Sequence, residues 1–68
     1  MRNRAKINTL RLYYEMKIID NMAKSKDRFS IGVIFGLRSA LLNFGYTYDQ
    51  LNDMEYVYNE LIDIKGSE

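Results

Sequence analysis

Residues 45–51, Gly45-Tyr46-Thr47-Tyr48-Asp49-Gln50-Leu51, hold the stop signal of one helix and the start signal of the next. Gly45 tolerates the left-handed backbone in which helices commonly end. Two residues on, Thr47 and Gln50 have the spacing of a capping box, in which each side chain accepts from the other's backbone N–H. Tyr46 before the cap and Leu51 after it have the spacing of a hydrophobic staple. Asp49 adds a negative charge in the first turn, where the helix dipole favours it. One helix is therefore expected over about 48–65, closed by Lys65 and Gly66 in the order a C-terminus prefers.

Outward from this point the chain stays helical. It contains no Pro, and its four Gly stand at 32, 36, 45 and 66. A second helix, about 28–44, runs up to Gly45, with Asp27 or Ser30 as its N-cap. A first helix, about 3–23, is rich in Leu, Met, Lys and Arg and ends in the cluster Lys24-Ser25-Lys26-Asp27. The expected fold is all-α: one domain over residues 1–68, a small three-helix bundle or a helical hairpin with a third helix, completed by homo-oligomerisation.

The oligomer follows from the apolar faces. Projected at 100° per residue, the first helix shows two stripes. Ile7, Leu10, Tyr14, Ile18 and Met22 form one; Leu12, Met16, Ile19 and Ala23 form the other. A helix apolar on two sides is normally covered on two sides, and two companion helices cover one of them. In the second helix Gly32, Gly36 and Ala40 recur at every fourth residue, a ridge of small residues that lets another backbone approach closely. Self-association is accordingly expected through Leu12, Met16, Ile19, Ala23, Gly32, Gly36 and Ala40.

The third helix places Leu51, Met54, Tyr58 and Leu61 on one face, flanked by Val57, Ile62 and Ile64. Its other side carries Asp49, Asp53, Tyr56, Glu60 and Asp63. A solvated surface has this composition; so does a docking surface for a basic partner, where the Tyr supplies contact area and the carboxylates supply complementarity. Charge is also split along the chain. Residues 1–45 hold nine basic and three acidic side chains, net +6, whereas residues 46–68 hold one and six, net −5.

Composition removes most chemistry. The 68 residues include no Cys and no His, so disulfides, thiolate metal sites and imidazole bases are all absent. No Gly-rich phosphate loop occurs. Glu60 and Asp63 share a face, yet two carboxylates alone make a weak site for a hard cation. Neither an enzyme, a cofactor nor a metal is expected. The apolar run 31–44 is 14 residues, interrupted by Arg38, short of the roughly 20 that span a bilayer. No apolar segment of signal-peptide length follows the basic start, which points with the lack of Cys to the cytoplasm, of a bacterium or of a phage-infected host. Usage rich in Ile, Asn, Lys and Tyr suggests an AT-rich coding sequence.

Around Gly45 the chain partly resembles a helix-turn-helix frame. Ala40, Phe44, Tyr46, Leu51 and Met54 fall where that motif places apolar residues, and the resemblance implies a DNA-binding regulator. Leu41 stands where the motif usually has a small residue, and Asp49 and Asp53 would be repelled by phosphate. The leading expectation is an oligomeric helical protein that binds and modulates or inhibits a larger protein, with phage or mobile-element origin and a host enzyme or defence system as target. DNA binding and peripheral membrane association are the alternatives.

Overall fold

The computed structural model describes residues 4–22 and 28–66. Four helices follow in order: α1, Arg4–Met22; α2, Arg28–Asn43; α3, Tyr48–Asn52; and α4, Met54–Gly66. Helix α1 packs against α2 and α4, and α3 packs against α4. The molecule extends 36 × 20 × 20 Å. Its long dimension reflects α1, whose 19 residues span about 28 Å.

The end of α2 is a Schellman motif. Gly45 has φ 104°. Its N–H donates to the Leu42 carbonyl at 3.0 Å, and that of Tyr46 to the Leu41 carbonyl at 3.1 Å. Both bonds satisfy carbonyls the terminating helix would otherwise orphan. Tyr46 and Leu41 are both buried in the core cluster, the apolar contact this motif favours. The expected capping box is also present: Gln50 N–H donates to Thr47 Oγ1 at 3.1 Å, and Thr47 N–H to Gln50 Oε1 at 2.9 Å.

The single third helix expected over 48–65 is not formed. Asp53, at φ −93° and ψ 97°, leaves the helical region and divides it into α3 and α4. Its Oδ1 accepts from the backbone N–H of Glu55 at 3.1 Å and of Tyr56 at 3.2 Å. Asp53 thus begins α4 as its N-cap, and a carboxylate at a helix start also meets the positive end of the dipole. No Gly or Pro marks this break, because a capping aspartate suffices.

The division turns the apolar faces. Leu51 and Val57 are fully buried and Leu61 nearly so, while Tyr58 and Ile62, expected inward, are about half exposed. A further correction concerns α1. Ile7 and Leu10 of the first expected stripe are buried and Tyr14 packs against the core, but Tyr13, on neither stripe, is buried as well, so the inward face is turned toward a spacing of three. Ser30 is the third residue of α2 and therefore not its N-cap; Asp27, the other candidate, lies outside the described residues, as do the closing lysines 24 and 26.

Candidate functional site

The core occupies one end of the molecule. Buried side chains come from Ile7, Leu10 and Tyr13 of α1, from Ile34 and Leu41 of α2, and from Tyr46, Leu51, Val57 and Leu61 beyond. Among the described residues none from Tyr14 to Val33 is buried. Beyond the core α1 and α2 continue as an arm with no fully buried side chain among the described residues, although Tyr14 at its base still meets Tyr58 of α4, ring centroids 5.7 Å apart. Among its polar residues the arm carries Ile18, Ile19, Met22, Phe29, Ile31 and Val33, with Ile19 61%, Met22 77% and Phe29 75% exposed.

The residues expected to mediate self-association separate on this frame. Leu12 and Ile19 are exposed on the back of α1, whereas Met16 is half-buried and packs against the core cluster. Ala23 lies outside the described residues. Gly32 and Gly36 are exposed, with nothing of this chain within 4 Å of where a Cβ would stand. Ala40 is half-buried. Phe35, 55% exposed, lies beside the two glycines on α2 and was absent from the expected set. Its place was legible in the sequence, one residue before Gly36.

The residues expected to meet a partner are more engaged than their composition suggests. Tyr46 Oη donates to Glu60 Oε2 at 2.7 Å, tying the loop before α3 to α4. The Tyr56 ring stands edge-on to Tyr46, with centroids 6.5 Å apart and planes at 77°, and the Lys6 ammonium lies 5.1 Å from the Tyr46 ring centre. Burial pushes the Tyr46 phenol well above its ordinary value, helped by the bond to Glu60 and by the charge there. Tyr56 is raised as well, by burial and then by the Glu60 charge. Asp53 is the cap already described. Asp49 and Asp63 are exposed. The acidic face is therefore a partly structural surface whose freest carboxylate projects from the first turn of α3.

A cleft opens between α1 and the arm side of α2. It encloses about 180 Å³ and is lined by Lys17 and Asp20 of α1 and by Ile31, Ile34, Phe35 and Arg38 of α2. The Arg38 guanidinium lies 5.1 Å from the Phe35 ring centre, within cation–π range. Its Nε is buried without a hydrogen-bond partner. A buried donor without an acceptor costs about 1–3 kcal/mol. Among the described residues no three acidic groups converge as a metal site would require, and no helix is long and apolar enough to cross a membrane.

In comparisons with known proteins, no family model, no curated protein and no solved structure matches this chain significantly.

Proposed function

We propose that this chain is a small helical interaction protein that pairs with a second copy through its α1–α2 arm and acts by binding a larger protein. The observation that supports pairing is the arm itself: two helices rich in Met, Ile, Val and Phe continue beyond the last buried residue. Exposed apolar surface of this kind marks contact sites. Packing one hairpin on another would make a four-helix layer of familiar geometry. The open Gly32 and Gly36 would let the facing helix come close.

Light scattering over a range of concentrations tests the pairing. The wild-type mass should exceed 8.1 kDa, and Ile19→Glu with Phe35→Glu should return it to the monomer while leaving helical circular dichroism intact. A wild-type mass of one chain at every concentration overturns the pairing.

The action on a larger protein is supported by the split of charge, with the net −5 of residues 46–68 suited to a basic surface. An inhibitor of a host enzyme or defence system, of phage origin, is the concrete form. The DNA-binding alternative has weaker physical support: α3 is five residues long, and its first turn bears Asp49.

A further inference from the structure

We infer that two copies of the chain stack through one whole face of the α1–α2 layer, the face turned away from α4, and not through the arm alone. This rests on the pairing proposed above and names the surface that pairing uses.

Rotation about the two helices defines the face. Tyr14 meets Tyr58 of α4, so its direction marks the covered side of α1. At 100° per residue Leu12, Met16 and Ile19 point about 140–160° round the helix from it. In α2, which packs chiefly on α1, the buried Ile34 and Leu41 mark the line toward that helix. Val33, Leu37 and Phe44 fall about 60–100° to one side of Ile34, and the cleft residues Ile31 and Phe35 fall to the other. Phe44 continues the helical turn, since its N–H donates to the Ala40 carbonyl at 3.1 Å. Lys17 and Asp20 mark the matching line on α1, and Leu12, Met16 and Ile19 depart from it in the same rotational sense. Equal rotations in an antiparallel pair land on the same side of it, so the two trios share one face. Leu12, Ile19 and Phe44 are exposed there, and Met16, Val33 and Leu37 are half-buried.

Two properties make a second copy the occupant. The first is charge. Neither helix carries a charged residue within this arc, and Glu15 stands only at its edge. A surface without charge can meet itself under a two-fold axis, where residue i of each copy faces residue j of the other, with no like charges opposed. The side of α4 that bears Asp53, Glu60 and Asp63 would repel its own image. The second is area. Stable pairs bury about 600–1,000 Å² on each partner. The arm segment Tyr14–Met22 is only about 13 Å long, so with α2 beside it, in a layer about 20 Å wide, it offers roughly 270 Å² in plan. The full length of α2, about 24 Å, raises this to roughly 480 Å² before side-chain relief is counted. The larger face comes within range of a stable pair and the arm alone falls well short.

The test mixes isotope-labelled and unlabelled wild-type chains at a concentration where light scattering shows the pair, and records isotope-filtered contacts between copies. Methyl groups of Leu12, Met16 and Leu37 should show them. Leu12→Glu and Phe44→Glu, both at the core end and outside the arm, should each weaken pairing at least about tenfold, because each puts a charge into an apolar contact. Ile62→Glu, on α4, should leave the mass unchanged, and molar salt should not loosen the wild-type pair. The labelling experiment needs no variant, so a misfolded substitution does not shield the face from refutation. A pair whose contacts come only from Ile31, Phe35 and Met22, or one dissolved by salt, overturns this face and leaves pairing itself standing. A wild-type mass of 8.1 kDa at every concentration overturns both. Flotation of that single-chain species with lipid vesicles would assign the face to a membrane and overturn it equally.

Discussion

Tyr13 Oη donates to the backbone carbonyl of Leu51 at 2.9 Å, joining residues 38 positions apart inside the core. The bond completes the break at Asp53. In an unbroken helix the Leu51 carbonyl would accept from the N–H of Glu55, but that N–H is turned to the Asp53 side chain. The carbonyl left over is buried, and a tyrosine from α1 supplies its donor. Local capping at α4 and the long-range clasp by α1 are thus two parts of one arrangement.

Tyr13→Phe should expose its worth directly. The ring stays, so packing is kept, while the Leu51 carbonyl loses its donor at a cost of about 1–3 kcal/mol. For a chain of this size each kcal/mol lowers the melting temperature by about 4–8 °C. Urea titration should show a lower midpoint with an unchanged slope; a melting temperature equal to wild type would mean that the bond contributes nothing net.

Asp53→Ala should cost about 0.5–2 kcal/mol as a lost N-cap. The backbone amides of Glu55 and Tyr56 should lose hydrogen-exchange protection ahead of those deeper in α4. Reversing Asp53 and Glu60 together to Lys should lower stability further, because the second change also removes the acceptor of Tyr46 Oη. A capture experiment on the acidic face is therefore cleaner with Asp49→Lys.

Gly45→Ala places a Cβ on a backbone at φ 104°. Space is not the obstacle, since nothing lies within 4 Å of that position. The conformation is the obstacle, and about 1–2 kcal/mol is expected. The α2 turn would be the segment to loosen, visible as faster exchange at the Tyr46 amide. Thermal melting of the variant at wild-type temperature would contradict this.

Alkaline titration should destabilise the fold through Tyr46. Its phenol titrates at 10.0 when unfolded and well above that when folded, so the folded state favours the neutral form. That contribution is fully present below pH 10 and falls away as pH rises beyond it. The groups facing the phenol are Glu60 and Tyr56 of α4 and Lys6 of α1. Tyr46→Phe lacks the ionisation, so its melting temperature should decline less than that of wild type between pH 10 and 11. Parallel decline in the two proteins would assign the loss to other groups.

Local punctuation was legible in the sequence and global direction was not. Gly45, Thr47 and Gln50 act through neighbours within five residues, so the helix end at Gly45 and the capping box could be read from sequence alone, while the Schellman bonds came with the structure. Asp53 escaped notice because an aspartate on a helix face and an aspartate capping a new helix look alike until the partner N–H groups are placed. Tyr13 escaped for a related reason. It falls on neither stripe of the projected helix, and the Leu51 carbonyl that accepts its hydroxyl is set free by a break elsewhere. The Arg38 cleft lies further beyond sequence reach, since it depends on how α1 and α2 lean together. Even so, a lone cation in the apolar run 31–44 was visible from the start.

The described stretches of α1 from Tyr14 to Met22 and of α2 from Arg28 to Val33 have a consequence for how the chain comes apart. With no fully buried side chain among them, they should open and close more often than the half containing Tyr13, Leu41 and Val57. The molecule would then behave as a durable base carrying a labile antenna, and whatever settles on the antenna would register first as slower amide exchange there, before any change in overall melting.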